Sequence, residues 1–391
     1  MEMITYRVDN DTLSIAVSGR VDTTNAKAVE DRIMGIRMEN PGKRTILDAD
    51  KLEYISSAGL RIILRLRKED KALSIINVSS EVYEVFDMTG FTEMVDIQKA
   101  LRQMSVEGCE FIAKGANGAV YRYDEETIIK TYFNADALDE IRQERENARK
   151  AFVLGINTAI PYDIVRVGEG YGSVTELLRA TSVSKMIRAD NENLDQPVKY
   201  YVDMLKGIHA TQAGSGELPD MKETALDWAQ FVAKHLPQDQ GQKLVALVEA
   251  VPEQTTVLHG DYHTNNVMVQ DGDPLLIDMD TLCMGHPVFE LGSMFNAFQG
   301  FGVADHDIIQ QFMGYSYEVA GRFWRKALAL YLGTDDEARI ASVEDKAKII
   351  GFTRLLRRAV RRPNEAGSAA LVACCKEQLA DLLARVDTLD F

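Results

Sequence analysis

The sequence predicts a multidomain chain, an α/β domain followed by a larger α+β part whose strands come first and whose remainder is mainly helical. Three observations carry that expectation. Roughly the first hundred residues alternate strand and helix patterns in the order β-β-α-β-α-β-α. The pattern restarts around Ser105-Val106-Glu107-Gly108. From there a β-meander over 111–132 leads into helical sequence, broken by one strand–loop–strand stretch at 256–280. A chain of 391 residues is long enough for two or three domains.

Each element has a local reason. Residues 3–8 and 13–17 read as strands around the turn Asp9-Asn10-Asp11. Asp22-Thr23-Thr24-Asn25 supplies cap chemistry for a helix over 26–36, with Ala28, Val29, Ile33 and Ile36 at helical spacing. Asn40-Pro41-Gly42 breaks the chain, and 45–47 is a short buried strand ending in Asp48-Ala49-Asp50. A helix over 57–66 places Leu60, Ile63 and Leu64 inward; a strand at 73–76 and a helix at 82–88 complete the domain. In the larger part a long helix over 135–154 follows the meander, and 162–178 is again strand-like.

Composition excludes several classes. With 46% apolar and 27% charged residues and no low-complexity tract, the chain reads as globular rather than disordered. No apolar run is long enough for a membrane span, and Met1-Glu2-Met3-Ile4-Thr5 has neither the basic stretch nor the apolar core of a signal peptide. Four cysteines without a C-x-x-C pair exclude a disulfide framework and a zinc ribbon, and reduced thiols fit a cytoplasmic location. The net charge is −16, of which −2 falls in residues 1–104 and −14 in the remainder. That excess argues against nucleic-acid binding and is compatible with a cationic substrate.

The most informative stretch begins Val257-Leu258-His259-Gly260-Asp261-Tyr262-His263-Thr264-Asn265-Asn266, and a second apolar strand ends in Ile277-Asp278-Met279-Asp280. Two apolar strands flank a polar loop, and Gln270-Asp271-Gly272-Asp273-Pro274 makes them a hairpin-like unit. Phosphoryl transfer needs this inventory: one carboxylate to orient the acceptor hydroxyl, and a carboxamide and a second carboxylate to hold Mg²⁺ against nucleotide phosphates. Asp261 takes the catalytic role, Asn266 and Asp278 the metal role, and His259 holds the loop backbone. A zinc pair of His259 and His263 at i, i+4 is the competing reading; it needs a helix and a third ligand, and neither is evident.

Companions lie upstream. Lys114-Gly115-Ala116-Asn117-Gly118-Ala119-Val120 is a glycine-rich turn between strands, where Gly115 and Gly118 let the backbone close over phosphates. Lys130, set among apolar neighbours in the next strand, suits a contact to the α/β-phosphates. Glu144 shares a helix face with Ala148, Ala151 and Phe152, whereas Glu146 faces Lys150 at i+4 and solvent; Glu144 is therefore the expected partner of Lys130.

On these motifs, residues 109–391 resemble the aminoglycoside phosphotransferase and choline kinase family, which shares the protein-kinase-like fold. His259 to Asn266 resembles its catalytic loop, Ile277-Asp278-Met279-Asp280 its metal-binding segment, and His286-Pro287-Val288-Phe289-Glu290-Leu291-Gly292 the stretch that follows, where Asp is commoner than Glu290. The resemblance implies an ATP- and Mg²⁺-dependent enzyme of two lobes, 109–178 and 179–391, with the adenine near Glu176 and Leu178. It does not specify the acceptor, which family members draw from drugs, choline, sugars, amino alcohols and proteins.

In the small domain, Ser56 and Ser57 sit where an extended segment turns into a helix, a favourable place for a phosphate or simply an N-cap. Val17-Ser18-Gly19-Arg20-Val21-Asp22 followed by Ser56-Ser57-Ala58-Gly59-Leu60-Arg61 resembles STAS domains, the anti-sigma-factor antagonist family, over about residues 3–103. The resemblance implies a docking module of residues 1–104, switched by one phosphate, with Ser57 the candidate phosphoacceptor; Ser56 stands where such members often carry Asp. The expected activity is transfer of the γ-phosphate to a hydroxyl of a small, cationic molecule, with no nucleic-acid or membrane partner. The alternative is a regulatory protein whose kinase part phosphorylates a protein serine, Ser57 among the candidates, and whose STAS domain reports that state to a protein partner.

Overall fold

The computed structural model describes residues 3–391 except Ala116 and Ser215; the N-terminal reading at Met1 and Glu2 and the Ala116 position of the glycine-rich turn lie outside the described residues. The chain divides into two compact units, residues 1–105 and 106–391.

In the first unit, β1 (Ile4–Asp9) and β2 (Thr12–Val21) form a hairpin whose turn places Asn10 at φ +47°. Next come α1 (Ala26–Glu39), β3 (Arg44–Ile55), α2 (Ser57–Glu69), β4 (Ser74–Val78), α3 (Ser80–Met88), β5 (Asp96–Lys99) and the short β6 (Arg102–Met104). The sheet order is β1-β2-β3-β4-β5, antiparallel at β1–β2 and parallel elsewhere. Ile15, Val29, Ile33, Ile36, Leu47, Ile63 and Phe86 form its core.

Two readings need correction here. The short strand expected over 45–47, to end in Asp48-Ala49-Asp50, continues to Ile55. Its charged residues alternate with the buried Leu47, Ala49, Leu52 and Ile55, and two register shifts against β2 bulge the pair. Asp48 also has work within the sheet, accepting from Asn77 Nδ2 at 2.9 Å. The strand β5 was not expected; four residues of mixed polarity carry too little pattern.

The second unit opens with β7 (Glu110–Lys114), β8 (Gly118–Arg122) and β9 (Thr127–Tyr132), a meander followed by α4 (Leu138–Val153), β10 (Pro161–Val167) and β11 (Gly170–Glu176). Within this unit the antiparallel order is β10-β11-β9-β8-β7. Helices then dominate: β12 (Thr181–Ser182), α5 (Val183–Ala189), α6 (Asp195–His209), α7 (Met221–Ala233), α8 (Gln238–Glu249), β13 (Val257–Leu258), β14 (Val267–Gln270), β15 (Asp273–Leu276), β16 (Cys283–Met284), α9 (Pro287–Phe298), α10 (Asp307–Met313), α11 (Tyr317–Leu332), α12 (Glu337–Arg361) and α13 (Ser368–Arg385). Tyr201, Tyr262, Phe298, Phe323 and Trp324 pack at the centre of this helical core. Tyr201 and Tyr262 each donate a hydroxyl proton to the other's carbonyl oxygen, at 3.0 and 2.6 Å, which satisfies two buried polar groups at once.

The hairpin-like unit is present, with one strand mounted elsewhere. The turn at 270–274 closes a hairpin as read, but the strand at 257–258 is not part of it. It pairs with β16, while β14 and β15 form the hairpin closed by Asp271-Gly272. The polar loop is thus suspended between two small sheets. All four cysteines are free thiols, and no described helix is long and apolar enough to cross a membrane.

Candidate active site

The loop between β13 and β14 is built from the backbone outward. His259 is fully buried. Its Nδ1 accepts from the Asp261 N–H at 3.3 Å and its Nε2 lies 3.2 Å from Ile277 O, a pattern that fits the neutral ring with its proton on Nε2. Burial pushes its pKa below the ordinary value, which favours that neutral form. The buried Glu290 carboxylate of α9 accepts from the N–H groups of His259 at 2.5 Å and Gly260 at 3.1 Å. Gly260 itself has φ +82°, and a Cβ there would sit 2.4 Å from Thr281 O, so only glycine fits. Its carbonyl accepts from Ser293 Oγ at 3.0 Å and Arg354 Nη1 at 3.3 Å. These contacts hold the peptide on which Asp261 stands.

Asp261 remains 43% exposed at its side chain, with His263 Nε2 at 3.5 Å. Burial opposes its ionisation, yet His263 and Arg354 hold its pKa at about 2. Asn266 donates from Nδ2 to Asp261 O at 3.1 Å, which leaves Oδ1 as the carboxamide atom for a metal.

Facing this loop, Lys130 of β9 reaches Glu144 of α4 at 2.9 Å and Asp278 at 3.1 Å. Burial alone would lower the Lys130 pKa; Asp278 and Glu144 outweigh it and raise the pKa. Tyr132 donates to Glu144 Oε2 at 2.7 Å. Asp278 adopts a left-handed backbone (φ +65°), a strained conformation for a residue with a side chain. Asn147 of α4 anchors the same segment by donating to Met279 O and Asp280 O, both at 3.1 Å. Burial, with the neighbouring Asp278 and Glu144, pushes Asp280 up to about 6.

The sequence-predicted residues therefore fall into three places. Lys130, Glu144 and Asp278 meet in one cluster, and Asp261 and Asn266 share the loop. Glu176 ends β11 and, with Leu178, lines a pocket beside the turn between β14 and β15. Glu146 pairs with Arg149 at 2.8 Å rather than with Lys150, and Phe152 is exposed instead of sharing the buried face of Ala148 and Ala151. The two glycines differ. A Cβ at Gly118 would lie 2.1 Å from Thr131 O, so the approach of β9 demands that glycine; a Cβ at Gly115 meets only Gly118 O, at 4.0 Å. In the other unit, Ser57 is the exposed first residue of α2, while the Ser56 hydroxyl is buried, makes no cap bond and has no hydrogen-bond partner.

Both ring nitrogens of His259 are engaged by backbone groups, so this ring offers no free ligand atom to the competing zinc pair. Sequence reasoning missed Tyr132, Asn147, Ser293 and Arg354, which act through contacts remote in sequence. Glu290 was noted only as a motif position.

Residues 108–326 match the model of the phosphotransferase enzyme family, and residues 3–104 match that of the STAS domain. Over 89 residues the chain is 32% identical to "Putative anti-sigma factor antagonist BtrV" of Bordetella bronchiseptica, covering 22% of this chain and 76% of that protein. Among solved structures, a streptomycin–ATP ternary complex of APH(2″)-IIa is similar at 12% identity and a TM-score of 0.46, over 80% of this chain and 98% of that one. A choline/ethanolamine kinase family protein from Mesorhizobium loti is similar at 13% identity and a TM-score of 0.45, over 71% and 92%.

Proposed function

The chain belongs to the phosphotransferase enzyme family, with a STAS domain ahead of a kinase-type phosphotransferase that acts on hydroxyl groups, and we propose that it moves the γ-phosphate of ATP, with Mg²⁺, to a hydroxyl of a small molecule. The observation that carries this is the convergence of Lys130 on both Glu144 and Asp278, beside a loop that presents Asp261 and Asn266. Lys130 contacts the donor phosphates while Glu144 fixes its position. Gly115 gives the backbone room near the phosphates, and Glu176 and Leu178 border the base. Asp261 accepts the hydrogen bond of the acceptor hydroxyl, orients it in line and takes its proton as the new O–P bond forms and the bond from the γ-phosphorus to the β–γ bridging oxygen breaks, with ADP leaving.

The donor set suits Mg²⁺. One carboxylate (Asp278) and one carboxamide oxygen (Asn266) are hard ligands, too few for a protein-only cage but sufficient when nucleotide phosphates complete the shell. When bound, the ion neutralises phosphate charge.

A second reading rests on Ser57. Its exposed position at the start of a 13-residue helix places an added phosphate where the backbone N–H groups and helix dipole stabilise it. In that case the kinase part modifies a protein serine, and the STAS domain passes the state to a partner.

One experiment addresses both. The purified protein is incubated with Mg·ATP, its intact mass is read, and ADP release is followed with a panel of hydroxyl acceptors, alongside Asp261→Ala and Ser57→Ala. We expect acceptor-dependent ADP release that falls by about 10²–10⁴-fold in Asp261→Ala. Undiminished release in that variant would overturn the role of Asp261. A phosphate gained by the wild-type chain and lost in both variants favours the second reading; an unmodified chain removes self-phosphorylation at Ser57.

A further inference from the structure

We propose that the acceptor is an anion, a hydroxyl-bearing small molecule whose carboxylate or phosphate is held by arginines of α12 beside Asp261; this rests on the phosphotransferase reading above. Arg354, Arg357 and Arg361 recur at i, i+3 and i+7 and share one face of α12, which packs on α7. The aromatic rings of α7 lie against them. The Arg354 and Arg357 guanidinium carbons are 5.6 and 6.0 Å from the centre of the Trp228 ring, and that of Arg361 is 5.4 Å from Phe231. Stacking orients planar guanidiniums while their N–H edges stay available for a carboxylate or phosphate.

Arg354 ties this row to the chemistry. Its Nη1 donates to Gly260 O and, at 2.9 Å, to Ser293 Oγ, so the row starts next to Asp261. Arg354 is the end of the row at the Asp261 loop, and Arg357 and Arg361 follow about one and two turns further along α12, on the face that packs on α7.

The local charge is not balanced. Among the described residues neither Arg354 nor Arg361 has a carboxylate within ion-pair distance. Arg357 has only Asp227, 4.0 Å away and 75% exposed. The Arg357 Nε is buried with no hydrogen-bond partner. Burial and the adjacent Arg361 push the Arg357 guanidinium below its ordinary pKa. A helix C-terminus favours cations on dipole grounds, which accounts for Arg361 in the last turn but not for Arg354 and Arg357 further back. Arg357 and Arg361, with no carboxylate closer than 4.0 Å among the described residues, and the orphaned buried Arg357 Nε mark a place that gains from an anion, although the chain as a whole carries a net charge of −16. A cationic acceptor drawn in by the overall acidity would meet repulsion at this wall.

The test uses the full chain, Arg357→Ala and Arg357→Lys. Trp228 reports binding directly, because the other tryptophan, Trp324, is buried; Trp228→Phe supplies the blank. Inorganic phosphate and glycerate are titrated against fluorescence. ADP release is then measured with glycerate, glycerol 3-phosphate, ethanolamine and choline as acceptors, the first two separating carboxylate from phosphate recognition. We expect an anion-dependent Trp228 signal, weakened about tenfold or more in Arg357→Ala and partly retained in Arg357→Lys. We also expect turnover of an anionic acceptor whose KM rises in Arg357→Ala by more than kcat falls. A Trp228 signal indifferent to both anions, or preferential turnover of ethanolamine or choline, overturns the proposal. Anion binding needs no nucleotide, so the two ideas fail separately. Anion binding without stabilisation by Mg·ATP fails the phosphotransferase reading alone, and stabilisation by Mg·ATP with a silent Trp228 fails the anion site alone.

Discussion

Glu290 shows how one buried carboxylate organises a loop. It sits on α9, fully buried, and accepts from two consecutive N–H groups that immediately precede Asp261. Burial pushes its pKa from 4.5 up to about 7, against the pull of those two donors. A carboxyl whose folded-state pKa is raised binds its proton more tightly when folded, so the contribution of Glu290 to stability is fully present below 4.5 and is lost as pH rises to about 7. The loss amounts to about 3 kcal/mol at most. Unfolding of the wild type and Glu290→Gln, compared at about pH 5 and about pH 8, should show the steeper decline in the wild type. Equal pH slopes in the two proteins would mean that Glu290 does not titrate in this window. The sequence signalled a motif position at 290; that its carboxylate clamps the backbone of residues 259–260 depends on α9 docking there.

Among the elements, the meander β7–β9 separates two uses of glycine that look alike in the sequence. Gly118 lies under β9, and any Cβ would collide with the Thr131 carbonyl, so Gly118→Ala must spread two paired strands. Overpacking of this kind costs about 1–3 kcal/mol, and a lower melting temperature is expected. Gly115 has open space, so Gly115→Ala should leave the melting temperature nearly unchanged and raise the KM for ATP through crowding at the phosphates. If both variants melt alike, the steric distinction is wrong. The loop between β13 and β14 gives a parallel lesson. Its composition marked it as a candidate site, but its mounting between two separate small sheets was hidden, because strands of two to four residues carry little pattern.

For the whole molecule, two hydrophobic cores share no residue, one in 1–105 and one in 106–391. Calorimetry of the intact chain should therefore resolve two transitions. Mg·ATP at a hundred times its Kd adds about 2.7 kcal/mol to the unit that binds it, and should raise only the larger unit's transition. One transition moved as a block would show that the cores are coupled. The sequence alone determined the α/β and β-then-helical order and the loop from His259 to Asn266, and it singled out Lys130, Glu144, Asp261 and Asp278 as candidates. Periodicity and local spacing encode these, because they depend on neighbours along the chain. Tertiary structure alone decided that Lys130 reaches Asp278 across 148 residues, that β3 bends onward through its charged stretch, and that Arg354 braces Gly260. It also set which charged groups, Arg354 and His263 on one side and Asp280 and Glu290 on the other, act on Asp261. Net charge sums over the whole surface, whereas the field at a site is set by the few groups that folding brings within several ångströms of it.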